Sequence, residues 1–552
     1  MPQKMVEKIE EIAEGSDDGL CDVIFHLKSQ DLTLTHVVNA GGVAFRNRSL
    51  VTSATELLPP SLEVLRERQP RTIRRKTDRD AEEPSFASTI ARAPISASPL
   101  EETIARNYDR LATAIASAAL RPSVERVKDR TKDRFRQYRP AVLWSSESLR
   151  VALRRDDLLD LRQRTDFLAS LNDVYPNQQV GVPRYFSPAR SSAKVQGELS
   201  RVAWGVERVG APAAWGAFGH RGAGVRVAVL DTGVDASHPD LKGKIKGWAE
   251  FDGSGAQLPR SRPHDTDRHG THVCGTIAGG GHSGQFVGVA PEAEIYAGLV
   301  LNGRKGGTVA QILAGLDWAI EQRVHVINLS LGGRTLERVV RSPFHRSLFH
   351  AASIGISVVA AAGNDGSQTS GTPGNDFFAL AVGAVDVKDR CAGFSGGGTH
   401  LITESEHIGP KLLPLAYSKP DLCAPGVDIR STVPKEAWGF LSGTSMATPH
   451  VAGAVALLRS ACQGFSDLPG FRQSSVIQDI ILATTFDLGE RGLDHRFGFG
   501  RVDALRAIDA ASGWVTDTSE YRDRRNRSPV APPSARGRLG RLPGIGPADP
   551  GA

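Results

Sequence analysis

Apolar positions in this chain follow different rhythms in its two halves. From about residue 204 onward they gather in short unbroken runs that stop on small or polar residues. Val225, Val227, Val229 and Leu230 make one such run, closed by Asp231-Thr232-Gly233. Similar runs cover Glu294–Val300, Val324–Leu329, Ser357–Ala362 and Leu380–Val385. Runs of this kind, bounded by turn residues, predict buried strands. Between them lie stretches that predict helices: after His269, over Val309–Gln322, over Pro343–Gly355 and after Ser445. A last helix is expected in GFGRVDALRAIDAA. Such alternation predicts an α/β domain, with a mostly parallel sheet flanked by helices on both faces.

The N-terminal part is less regular. The first nineteen residues read as a polar helix, and Cys21–Lys28 alternates like a strand. Glu101–Leu120 carries a helical stripe of Ile104, Tyr108, Leu111 and Ile115. A strand over Val142–Val151, a short helix over Asp156–Arg164 and a strand over Phe167–Val174 are expected next. Together they predict a small α+β unit. Val51–Leu100 is polar and basic, with Pro and Ser, and is expected to be partly disordered.

Candidate chemistry centres on Leu441–Arg459, LSGTSMATPHVAGAVALLR, which reads as a tight turn followed by a helix. Ser445 is expected at or just before the helix N-terminus. Free N–H groups and a partial positive charge there suit an oxygen that develops negative charge. Pro449 is expected in the first turn, where its missing N–H has no intrahelical partner. Serine is also a common N-cap, so neighbours in sequence must decide. A hydroxyl nucleophile needs a base, and the base an orienting carboxylate. Asp231 ends a strand, His269 stands in DRHGTHVCGTIA, and Asn364 closes VVAAAGNDG.

The motifs DTGVDASHPDL, HGTHVCGTIAG, VINLSLGG, AAGNDG and GTSMATPHVAG resemble, in order over about 220 residues, those of the subtilisin-like serine proteases. The resemblance implies a serine endopeptidase in which Asp231 orients, His269 is the general base and Ser445 the nucleophile. Asn364 would donate to the oxyanion with the backbone N–H of Ser445. Extended peptide would pair with Lys305-Gly306-Gly307 and Ser330-Leu331-Gly332. Ala361, Ala362 and Gly363 would line the first pocket, with Asp365 near its rim, and specificity would be broad. His272 matches a motif position but is expected only to hydrogen-bond locally. Asp240 matches one ligand of a structural calcium site, though His282 replaces the usual asparagine-type ligand in the loop Gly279–Val287. Calcium prefers oxygen donors, so the site is doubtful, and no cofactor is required for the chemistry.

The stretch from Leu143 to Val180 is similar in pattern to the second half of the family's propeptide domain, and Trp204–Trp215 resembles the start of the mature enzyme. The implied layout is a propeptide-like region over 1–183, a connector with a processing site over 184–203, a catalytic domain over 204–515 and a disordered basic tail over 516–552. A break is expected between about Tyr185 and Ala203, made by the enzyme itself, and the N-terminal region would act as intramolecular inhibitor or folding aid. His400–Leu415 looks like a surface-loop insertion. The opposing reading is a catalytically silent peptide-binding or scaffolding module, against which the intact quartet argues. An esterase is a weaker third reading.

Composition adds limits. The 552 residues carry a net charge of +6. Leu120–Arg139 holds eight basic residues against three acidic ones. Neither this segment nor the tail carries a recognisable nucleic-acid-binding motif, so protein or peptide substrates are expected rather than nucleic acid. Five widely spaced cysteines suggest free thiols. No secretory h-region and no membrane-length apolar run stand out, which predicts a cytoplasmic protein, with non-standard export the alternative.

Overall fold

The computed structural model describes residues 2–16, 19–28, 141–181, 185–187, 200–335, 338–408, 412–468 and 470–512. The expectations for 51–100, for the Glu101–Leu120 helix, for the Leu120–Arg139 basic run, for most of the connector and for the tail lie outside them.

The N-terminal unit comprises α1 (Pro2–Glu14), β1 (Leu20–Leu27), β2 (Ala141–Leu143), β3 (Ser148–Arg154) and β4 (Leu171–Pro176). The strands form an antiparallel sheet ordered β2-β3-β1-β4. Met5, Ile9 and Ala13 recur every fourth residue, so one stripe of α1 faces the sheet and packs with Val23, Phe25, Val151 and Leu153. Two expected boundaries move. The strand expected over Val142–Val151 divides at a turn where Glu147 has φ 49°. The strand expected from Phe167 begins only at Leu171. Phe167 and Leu168 belong to a helix, Thr165–Ser170, because the spacing of Phe167, Leu168 and Leu171 turns all three toward one core.

The strand β5 (Gln179–Val180) then leads to the larger domain. Its sheet uses β6 (Arg226–Asp231), β7 (Ile245–Glu250), β8 (Glu294–Leu299), β10 (Val326–Leu329), β11 (Ser357–Ala361), β12 (Leu380–Val385) and β13 (Leu422–Pro425). A short edge strand, β9 (Gly307–Thr308), lies outside it. The order is β13-β12-β11-β10-β6-β8-β7, and every pairing is parallel. The helices that matter for the site are α2 (His269–Ala278), α3 (Val309–Glu321), α4 (His345–Ser353) and α5 (Thr444–Ala461). Alternation along β6 shows how the layers form. Val227 and Val229 join a core with Val273 and Ile277 of α2 and Val451 and Val455 of α5. Ala228 and Leu230 point the other way, toward Ile312 and Leu316 of α3 and Leu348 of α4.

That second core does not stop at the domain's edge. Ile24, Leu143, Trp144 and Val180 of the N-terminal region belong to it. The amides of Trp144 and Ser145 donate to the Asp317 carboxylate at 2.9 and 3.1 Å, and the Trp144 indole donates to Glu321 at 2.9 Å. Arg346 of α4 donates to the Leu27 carbonyl.

The expected surface loop His400–Leu415 is more ordered than its polarity suggested. Gly398–Ile402 and Leu415–Lys419 pair as an antiparallel ribbon. Ile402, His407 and Ile408 are buried, with His407 stacked on Phe349 at 4.4 Å. A helix over 504–512 closes the domain, as the pattern of its sequence predicted.

Candidate active site

Asp231, Ser330 and Asn364 follow from the carboxyl ends of β6, β10 and β11, three neighbouring strands of the parallel sheet. Strand ends of this kind gather polar groups in one crevice. Asp231 is buried; its Oδ1 accepts the Thr232 amide at 2.7 Å and pairs with His269 Nδ1 at 2.8 Å. The close approach of α2 to the Asp231 turn depends on Gly270. A Cβ built there would stand 2.1 Å from the Gly233 carbonyl oxygen.

His269 is fully buried, and its Nε2 meets no hydrogen-bond partner among the described residues. Burial alone would disfavour its imidazolium. The Asp231 charge and hydrogen bond outweigh that, helped by Asp265 and Asp267, and raise its pKa above the ordinary 6.5. Asp265 also ties the turn to the helix. It accepts the Thr232 hydroxyl at 2.7 Å and the Thr271 amide at 2.8 Å. Sequence reading passed over this residue, although two acids just before a candidate base were a visible signal.

Ser445 is the second residue of α5. Its hydroxyl donates to the Ser330 carbonyl at 3.1 Å. Pro449 is not in the first turn, as expected, but the sixth residue of the helix. Its missing N–H therefore leaves the Ser445 carbonyl without its i→i−4 donor. The Ser330 hydroxyl replaces it, donating to that carbonyl at 2.9 Å. Asn364 is fixed by its own oxygen, which accepts the Thr444 amide and hydroxyl, each at 2.8 Å. Its Nδ2 thereby turns toward Gly443, 3.1 Å from where a Cβ would stand.

The predicted peptide-binding edges are already occupied by this chain. Gln179 and Val180 pair antiparallel with Thr308 and Gly307, and the Gly332 amide donates to the Gly181 carbonyl at 3.2 Å. Gly306 sits so close that a Cβ would meet the Val180 oxygen at 2.3 Å. Lys305 is exposed, whereas Ser330 and Leu331 are buried, Ser330 serving α5 rather than an open edge. Ala361, Ala362 and Gly363 are buried against the Ser370–Gly371 backbone, and Asp365 is exposed. Farther along, Phe186 and Ser442 exchange backbone hydrogen bonds of 2.9 and 2.8 Å.

His272 bonds the Ile429 carbonyl at 2.9 Å, and burial depresses its pKa to about 3. Asp240 accepts from the His282 amide at 2.6 Å and the Trp438 indole at 2.7 Å. Beside it, Lys244 donates to the carbonyls of Ala278 and Pro291. Both carboxylate oxygens thus serve N–H donors, and an ammonium already supplies positive charge. This donor set does not suit calcium. Among the described residues, no group of three or more His, Cys, Asp or Glu could hold a metal ion. All five cysteines are free thiols, and no described helix is long and apolar enough to cross a membrane.

A parallel α/β sheet that carries a buried carboxylate–imidazole pair and a serine at a helix start is an arrangement of the serine-hydrolase class. The chain belongs to the subtilase family, whose pattern it matches over residues 222–500. It is 40% identical to Subtilisin Savinase of Lederbergia lenta over 311 residues, 55% of this chain and 98% of that protein. It is 40% identical to an alkaline protease of Alkalihalobacillus alcalophilus over 320 residues, 57% of this chain and 72% of the other. Identity to Subtilisin E of Bacillus subtilis is 41% over 264 residues, 47% of this chain and 61% of that one. The protein is a serine-type endopeptidase acting on protein substrates.

Proposed function

We propose that Ser445 attacks the scissile carbonyl while His269 Nε2 takes its proton. The observation that carries this reading is the 2.8 Å bond of His269 Nδ1 to Asp231, with Nε2 unpartnered. To pass its proton to the base, the Ser445 hydroxyl must give up its bond to the Ser330 carbonyl. Such bonds are often loose until substrate binds. The Ser445 amide, without an intrahelical acceptor at the second helical position, and Asn364 Nδ2 donate to the oxyanion. Asp231 holds the imidazole and offsets its charge. His269 then protonates the leaving amine, and water releases the acyl group by the same steps reversed. The main-chain pairing at Gly307 and Gly332 supports broad specificity on the acyl side, because it reads no side chain.

The enzyme is made as a zymogen in this reading. The support is that Gln179–Gly181 pair with Thr308, Gly307 and Gly332, and Phe186 with Ser442, as a substrate strand would. On this reading the bond cut by Ser445 falls between Gly181 and Tyr185, ahead of the Tyr185–Ala203 span first expected. The non-catalytic module is not favoured, because the quartet is complete and the relatives are proteases. Mass spectrometry of purified wild type and Ser445→Ala tests the reading. Wild type is expected to be cut between Gly181 and Tyr185 and to take up a fluorophosphonate at Ser445. The variant is expected to stay whole and unlabelled. A variant cut at the same bond would assign the processing to another protease.

A further inference from the structure

The chain that follows the cleavage segment makes contacts that the peptide-binding edges do not explain. In the reading above the scissile bond precedes Tyr185, so residues 185–187 lie on the leaving-group side. Their neighbour agrees with this, since His269 delivers the proton to the leaving amine. The Tyr185 ring stands 5.3 Å from the His269 ring. Its hydroxyl lies 2.9 and 3.1 Å from the two oxygens of Asp267. Arg268 covers the same ring at 5.7 Å and reaches on to the Ser187 hydroxyl at 3.1 Å. Phe186 packs on Phe394 at 5.4 Å while its backbone pairs with Ser442.

We infer that Asp267 and Arg268, with His269 as floor, form a leaving-side subsite that selects a tyrosine, with an aromatic residue next in the substrate. The inference rests on the endopeptidase reading of Ser445 and His269. An ionised carboxylate only accepts hydrogen bonds, so it favours a side chain that brings a donor. The phenol remains that donor, because burial, with the Asp267 charge and hydrogen bond, raises its pKa against the opposing pull of Arg268. Phenylalanine would fill the same space and leave Asp267 without its partner. Arginine favours an aromatic face of either kind, so Arg268 sets the ring requirement and Asp267 the hydroxyl requirement. Asp267 is only partly buried, so discrimination should be moderate. Loss of one hydrogen bond to a charged group corresponds to about tenfold.

The test uses the purified full chain, processed as it comes, with active sites counted by fluorophosphonate labelling of Ser445. Internally quenched peptides carry the sequence of residues 178–190, unchanged or with Tyr185→Phe or Tyr185→Ala. We expect kcat/KM to fall about tenfold from Tyr to Phe, and further for Ala, with cleavage before the aromatic pair. In Asp267→Ala the Tyr-to-Phe ratio should fall to about one. The ratio is insensitive to the general change that Asp267→Ala makes by lowering the His269 pKa, since both peptides meet the same enzyme. Labelled enzyme that digests casein yet treats Tyr and Phe peptides alike, or leaves both whole, overturns the subsite alone. Absence of Ser445 labelling and of casein digestion overturns the endopeptidase assignment of these residues as well.

Discussion

His269 feels two opposed influences, and their balance sets how activity should depend on pH. Burial disfavours its charged form, while Asp231, with smaller help from Asp265 and Asp267, favours it and prevails. A general base works only when neutral, so kcat/KM should rise with pH through a midpoint above 6.5, the ordinary histidine value. The stability contribution runs the other way. A raised folded-state pKa stabilises the fold fully below the unfolded value, and that contribution fades as pH rises through the folded one. Activity should therefore appear in the pH range where His269 stops contributing to stability. A kcat/KM profile with its midpoint well below 6.5 would contradict the base assignment. Asn364→Ala should lower kcat by ~10²–10³, the range known for subtilisin's own oxyanion asparagine, and should also lower Tm, because the buried Thr444 amide and hydroxyl lose their acceptor.

At the scale of elements, α5 is a helix with a proline inside it and a neighbouring strand end that repairs the damage. Ser330→Ala would leave the Ser445 carbonyl buried and unpaired, at a cost of about 1–3 kcal/mol, visible as a lower Tm. An unchanged Tm would mean that the carbonyl finds another donor. The loop around Asp240 is held by N–H donors and by Lys244, so EDTA should leave both Tm and activity unchanged. A chelator-induced fall in Tm would reinstate the calcium ligand role of Asp240. These cases also mark what could be read from sequence. The positions of Asp231, His269, Asn364 and Ser445 in the fold were legible because each sits in a local motif that follows a strand or starts a helix. The role of Ser330 was not, because it depends on a pairing 115 residues away. The helix containing Phe167 was missed because a short apolar run fits either rhythm until its core is known. The buried ribbon at Gly398–Lys419 was hidden by its polar composition, since His407 enters the core as a stacked ring rather than as an aliphatic side chain.

The whole molecule is two units sharing one core, and two buried carboxyls, Asp317 and Glu321, sit at the junction. Asp317 accepts the Trp144 and Ser145 amides, yet burial drives its pKa up to about 8, and burial also raises that of Glu321. Separation would return both carboxyls toward water and their ordinary values. Association of the N-terminal unit therefore takes up protons. Its hold should be strongest in acid and weaken as pH rises toward 8, levelling beyond it. Co-elution of the cut halves on size exclusion at pH 5 but separation at pH 9 is the expected outcome. A grip that tightens with pH would show that both carboxyls are ionised in the complex.

One of the two inner strands of the small sheet, β1, comes from the start of the chain, while both its partners come from beyond residue 141. Roughly 110 residues therefore depart from Lys28 and return at Ala141 without supplying a described strand to that sheet. For a flexible connection of that many residues, closure cost grows only with the logarithm of its length. Natural length variation should accumulate there at little thermodynamic cost. Replacing residues 29–140 of the Ser445→Ala protein with a linker of about fourteen residues amounts to three halvings, which should stabilise the fold by about 2 kcal/mol. Loss of the N-terminal sheet in that shortened chain would mean the excursion carries contacts of its own.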